Sequence, residues 1–381
     1  MKILYLCNEY PPYRHGGIGT FVQSLSQQLV KMGHIVTVVG IYRTKNLIQE
    51  NDNGVTVFRI PASLRWLIGP FINHHRLRMI IDQIHAKSPV DLIEGNELSF
   101  GLFLKRLPVK TIIRIQGGHL FFTHTLNQRK RILASIIEKI SFSKASFFCA
   151  VSQFAADTTR QLHKSLRGHS IEIIPNPVDT TIFRPYPEVK EIENLIIFTG
   201  GIREKKGVIQ LAQAMYEVVG KFPTAQLWLH GADTNDSRSG ESVMGEIKKK
   251  VPQEILTHIN FRGLVRHEDL PTINASACIL AYPSWMETQG IVVIEGMASG
   301  KPVIASDTGP GPELIDDGIN GFLCDPFSPE SIAERIILLL NNEEIRTNIS
   351  ISARKKAVDH FSLDVLVKRN IEFYEKCLNS N

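Results

Sequence analysis

KILYLCNEYPPYRHGGIGTFVQSLSQQLVKMGHIVTVV, residues 2–39, is the stretch that decides the fold of this chain. Residues 2–7 are a short apolar run and predict a strand. Over residues 19–32 the apolar side chains Phe21, Val22, Leu25, Leu29 and Val30 recur at three- and four-residue spacing, the period of a helix with one buried face. Gly33 supplies the stop, and residues 35–39 read as a second strand. Strand, helix, strand at this spacing is a βαβ unit, with its two strands parallel.

The same rhythm continues outward. Residues 92–94, 111–115, 146–151 and 171–174 are further strand candidates. Residues 175–187 then carry four prolines and no periodicity, and read as a linker. Beyond it the alternation restarts, with strands at 195–199, 226–230, 259–263, 278–282 and 302–306 and a helix over 208–219. Two successive β/α alternations predict two doubly wound parallel sheets, whose ligands bind outside the carboxyl ends of the strands. Residues 232–251 are polar and carry no clear pattern.

Charge divides the chain in the same way. Residues 1–190 hold 24 Lys+Arg against 12 Asp+Glu, a net +12, whereas the remainder holds 19 against 26, a net −7, within a total of +5 over 381 residues. Opposite signs predict two units with different partners. A hydrophobic content of 43% with 21% charged residues excludes a disordered or fibrous chain. The first apolar run is too short for a signal-peptide core, and no stretch reaches the roughly 20 apolar residues of a membrane span. Five scattered cysteines without a CxxC pair read as buried thiols of a reducing, cytoplasmic compartment.

Several motif matches fail. Gly16-Gly17-Ile18-Gly19 lacks the third glycine of a dinucleotide fingerprint, whose place Val22 holds. Gly296 to Lys301 has three residues between its glycines instead of four, and Pro302 follows. No HExxH occurs, and the Tyr186–Lys190 pair lies in the proline-rich linker.

One stretch holds: Pro283-Ser284-Trp285-Met286-Glu287-Thr288-Gln289-Gly290-Ile291-Val292-Val293-Ile294-Glu295. Gly290 is predicted to open a helix, leaving Glu287 on the loop before it and Glu295 in its second turn. Free N–H groups and the positive end of a helix suit a diphosphate, and flanking carboxylates can accept from hydroxyls on either side. Two glutamates alone would read as ordinary solvated side chains.

The stretch resembles the E-x7-E signature of the retaining glycosyltransferases of family 4, and the resemblance covers nearly the whole chain. Asn8 to Gly19 is similar to the family's first glycine-rich loop, Ala150-Val151-Ser152 to its "VS", and Ile174-Pro175-Asn176-Pro177-Val178-Asp179 with Phe183 to its "PNGVD…F". Phe198 to Gly207 is similar to its "GR…KG", and Ala305 to Glu313 and Asn320 to Leu323 to the blocks after E-x7-E. The resemblance implies an α/β GT-B fold, two Rossmann-like doubly wound parallel-sheet domains facing across a cleft. The expected division is 1–184 as acceptor-side domain, 185–358 as nucleotide-sugar-binding domain, and 359–381 as a helix (361–378) crossing back to the first.

Matching positions imply roles. Glu295 would hold the ribose, Glu287 would face the donor sugar, Gly290 and Ile291 would offer amides to the diphosphate, and Lys206 would stabilise the departing phosphate. Gly16 and Gly17 would let backbone amides approach a phosphate. The sequence departs from the pattern at three places. Gly201 stands where the family carries arginine, so Arg203 or Lys205 would supply that charge. Gln116 stands where a histidine is usual, so His119, with His124 in reserve, would contact the donor sugar. Pro177 replaces a glycine.

The implied function is metal-independent, cofactor-free transfer of a sugar with retention, in surface polysaccharide or glycoconjugate synthesis. The donor is expected to be a UDP-sugar such as UDP-GlcNAc or UDP-glucose, with GDP-mannose open. The alternative is a non-catalytic nucleotide-sugar-binding or regulatory subunit. The acceptor is a glycan or lipid-linked molecule. Arg65, Arg76, Arg78, Arg129, Lys130 and Arg131, among Trp66, Leu67, Ile68, Phe71 and Ile72, suit an anionic membrane surface, placing the protein peripherally at its inner face. No recognised nucleic-acid-binding module accompanies these basic residues, so nucleic acid is not an expected partner.

Overall fold

The computed structural model describes residues 1–13, 16–64, 68–129, 131–235 and 240–380. They form two units, Met1–Pro177 with the chain from Leu363 onward, and Val178–Ser362.

The first unit contains β1 (Lys2–Leu6), α1 (Gly17–Lys31), β2 (Ile35–Tyr42), β3 (Ile48–Asp52), β4 (Val55–Pro61), α2 (Gly69–Lys87), β5 (Leu92–Gly95), β6 (Lys110–Ile115), α3 (His119–Thr125), α4 (Ile132–Lys144), β7 (Phe147–Ala150), α5 (Gln153–Leu162) and β8 (Ile171–Ile173). Its sheet has the order β3-β4-β2-β1-β5-β6-β7-β8, parallel except for the β3–β4 hairpin. The hairpin escapes the helix–strand rhythm because its first strand is polar, but Asn53 and Gly54 sit at φ 49° and 91°, the left-handed pair that a tight hairpin turn requires. α1 buries Phe21, Val22, Leu25 and Leu29 against the sheet, the face that its periodicity marks.

The second unit contains β9 (Leu195–Thr199), α6 (Val208–Lys221), β10 (Gln226–His230), α7 (Val243–Lys250), α8 (Gln253–Leu256), β11 (Ile259–Gly263), α9 (Leu270–Ser276), β12 (Ile279–Tyr282), α10 (Ile291–Ala298), β13 (Val303–Ser306), α11 (Gly311–Leu314), β14 (Phe322–Cys324), α12 (Pro329–Asn341) and α13 (Glu343–Phe361). Its sheet is parallel throughout, in the order β11-β10-β9-β12-β13-β14. Strand order reverses between β9 and β12, and the ligand crevice of such a sheet lies at this switch point. Within the polar stretch 232–251, α7 is capped by Ser242, whose hydroxyl accepts from the Gly245 N–H.

The unit boundaries differ from those expected at 184/185 and 358/359. Val178 bridges to Ser362 and donates its N–H to the Phe361 carbonyl at 2.9 Å. Phe183 is buried in the core of the second unit, and Arg354 on α13 binds the carbonyls of Phe183 and Thr180 at 2.7 and 3.0 Å. Residues 178–184 therefore belong to the second unit. The last helix, α14 (Leu363–Asn379), belongs to the first, where Leu366, Val367, Phe373, Tyr374 and Cys377 join the core. The five cysteines are buried free thiols.

Candidate functional site

At the crevice of the second unit the loops after β9 and β12 pack backbone on backbone. Gly207 ends the Glu204–Lys206 turn at φ 67°, and a Cβ there would lie 1.8 Å from the Pro283 carbonyl oxygen. Only glycine fits, in conformation and in space. The Trp285 N–H donates to the Lys205 carbonyl at 2.8 Å, closing the two loops together. This contact brings Lys206 onto Glu287 as an ion pair, with both side chains about four-fifths buried.

Burial pushes the Glu287 carboxyl upward, but Lys206, Lys205 and the Ser284 hydroxyl more than offset that effect, and it lies below its ordinary range. Burial lowers the Lys205 ammonium, with Lys206 and Arg203 adding to the shift and Glu287 opposing it. Arg203 itself is exposed at the start of the turn, whereas Lys205 is the second cation grouped with Glu287.

Gly290 caps α10 in the left-handed conformation at φ 85°, so Ile291 begins the helix and Glu295 falls in its second turn. Glu295 is 5% exposed. Its Oε1 bonds His267 Nε2 at 3.0 Å, and this hydrogen bond raises the His267 pKa against the opposing effect of burial. The Phe183 ring lies 5.4 Å from the imidazole. Sequence reasoning missed His267, which lies in a polar stretch that no motif marks.

The first unit places its candidates on two loops. Gly16 donates its N–H to Glu9 Oε2 at 3.0 Å, so a neighbouring carboxylate takes the amide expected to meet a phosphate, while Gly17 starts α1 with nothing within 4 Å of a Cβ position. Beneath this loop the fully buried Arg59 donates to the carbonyls of Tyr10 and Pro11 at 2.8 and 2.6 Å, pairs with Glu50, and lies over the rings of Tyr13 and Tyr42. On the loop after β6, Gln116 Oε1 accepts from Asn176 Nδ2 at 3.2 Å. His119 is the first residue of α3, half-buried, and its Nε2 accepts the Arg131 N–H at 3.0 Å, which puts the neutral ring's proton on Nδ1. His124 is exposed in the last turn of α3.

Of the residues expected to bind a membrane, Arg65, Trp66, Leu67 and Lys130 lie outside the described residues. Arg76 is exposed and binds the Pro61 carbonyl, and Arg78 pairs with Asp82. Ile68 and Phe71 are exposed. Missed by the sequence reading is the face of α4, where Ile132, Leu133, Ile136 and Ile140 are exposed beside Arg131 and Lys139. Among the described residues no helix is long and apolar enough to cross a membrane.

Two doubly wound units of this kind define a GT-B protein, and solved structures share the fold along the whole chain. Sucrose-phosphate synthase from Thermosynechococcus elongatus superposes with a TM-score of 0.83 at 20% identity, covering 98% of each chain. The Anabaena HepE protein in complex with UDP-glucose does so at 0.72 and 18% identity, covering 99% of this chain and 100% of that one. Two family models meet near the unit boundary: glycosyltransferase family 4 matches residues 15–182, and glycosyl transferases group 1 matches residues 179–356. An uncharacterised glycosyltransferase of Methanocaldococcus jannaschii is 25% identical over 395 residues, 98% of both chains. The chain belongs to the group 1/family 4 glycosyltransferases, enzymes that transfer a sugar from a nucleotide-sugar donor.

Proposed function

We propose that this chain is a metal-independent, retaining glycosyltransferase that moves a sugar from a UDP-sugar to a glycan or lipid-linked acceptor in surface polysaccharide or glycoconjugate synthesis. The observation that carries this reading is the Lys206–Glu287 pair at the crevice of the second unit, next to the Gly290 cap of α10 and with Glu295 in the second turn. Lys206, assisted by Lys205, faces the diphosphate; the amides at Gly290 and Ile291 add to that field; Glu295 takes the ribose hydroxyls. Arg203 supplements Lys205 from the rim. A carboxylate held below its ordinary pKa is a poor base, so Glu287 accepts hydrogen bonds from the donor sugar rather than removing a proton.

The acceptor hydroxyl then attacks the anomeric carbon on the face that UDP leaves. The C–O bond to the β-phosphate breaks with its electron pair on that oxygen, the acceptor C–O bond forms, and a donor phosphate oxygen takes the acceptor proton. His119 takes the donor-sugar contact. UDP-glucose in the Anabaena neighbour supports the choice of base and sugar.

The exposed apolar face of α4, flanked by Arg131 and Lys139, supports an anionic membrane surface as the place where a lipid-linked acceptor is met. Thermal shift against UDP, GDP and their sugars, with and without EDTA, tests the donor: stabilisation by GDP alone, or only with metal, refutes it. Proton NMR of an early product must show the α-anomer from an α-linked donor, and an inverted product refutes retention. Flotation with vesicles containing anionic lipid tests the membrane, where absence of binding removes it.

A further inference from the structure

The loop that carries His119 is fastened from beneath by two buried carboxylates that belong to none of the motifs above. Glu97, two residues beyond β5 and 4% exposed, accepts the Gln116 N–H on Oε1 at 2.6 Å, and the Gly117 N–H also faces it. Glu138 on α4, 1% exposed, accepts the Leu120 N–H on Oε2 at 3.1 Å. Its other oxygen is bonded by His163 Nε2 at 3.0 Å, and the His163 ring lies against Phe142 with centroids 4.0 Å apart.

Between these two anchors the chain has little freedom. Gly117 holds φ 101°, and a Cβ on Gly118 would come 2.7 Å from Glu138 Oε1. The main-chain amides on both sides of His119 therefore point inward to carboxylates. His119 then has its Nε2 fixed by the Arg131 N–H. Desolvating a carboxylate is costly, and an apolar core of the same volume is usually at least as stable. Two such groups under one loop are better explained by the position they impose than by the stability they add.

We propose that Glu97 and Glu138 are positioning residues that hold the His119 loop in the geometry required at the donor sugar. The proposal rests on the reading of His119 as the donor-sugar contact. Glu97 gives it a pH signature. Burial pushes this carboxyl up to about 7, and the charge of Glu138 adds to the shift, against the N–H groups of Glu97, Gln116 and Gly117. The charged or titratable groups set against it are Glu138 from α4 and, behind Glu138, His163 at the end of α5. Protonation of Glu97 weakens the bond to Gln116, so turnover should fall as pH drops below about 7.

The test uses the full chain, with Glu97→Gln as the main variant, because it preserves size and an acceptor oxygen while removing the charge. Amide hydrogen exchange over residues 116–120 should accelerate about tenfold, the loss of one charge-assisted hydrogen bond, while exchange in β1 and β2 stays as in the parent. UDP release from UDP-glucose and from UDP-GlcNAc should lose its acid limb near neutrality and fall in kcat with donor KM little changed. The decisive comparison is with His119→Ala. Glu97→Gln should cost about tenfold in the parent and less than about twofold in the His119→Ala background, since both act through one side chain. Losses that multiply, or unchanged exchange at 116–120, overturn the proposal. A His119→Ala variant that turns over at the parental rate instead refutes the role of His119, while the exchange data still report whether Glu97 holds the loop.

Discussion

Replacing Glu94 with alanine should strongly destabilise the first unit. Glu94 lies on β5 at 3% exposure, and Arg114 on β6 at 1%. The carboxylate accepts from Arg114 Nε at 2.6 Å, from Nη2 at 3.4 Å, and from the Tyr374 hydroxyl of α14 at 2.7 Å. Arg114 also donates to the Ile174 carbonyl at 3.1 Å and to Asn370, and Tyr374 is bonded to Tyr5 at 2.8 Å. Without Glu94 the guanidinium keeps two neutral acceptors and remains a charge in the core. Breaking such a pair from one side costs about 3–5 kcal/mol. Tyr374→Phe removes one bond to the carboxylate and the bond to Tyr5, leaves the ion pair intact, and should cost about 1.5–3 kcal/mol.

The two changes remove the same hydrogen bond, so their sum should exceed the double variant by about 1 kcal/mol or more. Against a typical domain stability of about 5–15 kcal/mol, the Glu94 variant loses about a fifth or more of what holds the unit. Calorimetric unfolding resolves two units as separate transitions where one is shifted, and hydrogen exchange in β5 and β6 assigns the shifted one. A Glu94→Ala cost below about 1 kcal/mol, or a transition that shifts in the second unit instead, would refute the argument.

Lys206→Met should lower kcat for UDP release by about 10²–10³-fold, the usual effect of removing one group that stabilises developing charge; a loss under tenfold would deny it that role. Gly207→Ala puts a methyl 1.8 Å from the Pro283 carbonyl at φ 67°. It should cost at least about 2 kcal/mol in calorimetry, while Gly220→Ala on α6, with nothing within 4 Å, should be neutral or stabilising. His267 has its pKa raised by Glu295, so its contribution is present below the unfolded value and is lost as pH rises through the folded one. With the imidazole side chain 46% exposed, the loss should stay below about 1 kcal/mol, and His267→Ala should flatten that part of the stability–pH curve.

The strands and helices were legible where one face repeats at a fixed period, as in α1, or where an apolar run stands between turn residues, as in β9. β3 was not, because Ile48–Asp52 is polar on an edge, although the Asn53-Gly54 pair announces its turn. The Lys206–Glu287 contact joins residues 81 apart, and the order of blocks brings them together only through the topology of β9 and β12. Least legible were the buried charges. Arg59 and Arg114 stand inside apolar strands, Val55–Pro61 and Lys110–Ile115, and a lone arginine there is a signal of a buried partner. The identity of the partner is not in the strand: Arg114 finds Glu94 on the next strand and Asn370 near the far end of the chain.

Both units hold loops by charged side chains on main-chain groups and by backbone packed at glycines, as with Gly40 on Cys7 in the first and Arg354 on Phe183 in the second, and the packing around the Lys206 loop bears on the proposed reaction. In the first, buried charges grip main-chain groups: Arg59 under the loop after β1, Glu97 and Glu138 under the loop after β6. In the second, the backbone packs on itself at glycines, as at Gly207 on Pro283 and Gly231 on Gly200, and the Lys206–Glu287 ion pair is a side-chain contact beside those backbone contacts. Lys206 and Glu287 can then separate without unfastening the loops that carry them. A diphosphate carries more negative charge than a carboxylate, so in the proposed reaction it displaces Glu287 from Lys206. A contact charge pair at an effective dielectric near 20 is worth about 4 kcal/mol before desolvation, and the exchange replaces that attraction with a stronger one. Glu287 is thereby released to the sugar hydroxyls at the moment the donor arrives. The same exchange predicts that Glu287→Gln, which leaves Lys206 unpaired in the empty site, tightens UDP binding while lowering turnover; calorimetric titration with UDP showing weaker binding would refute it.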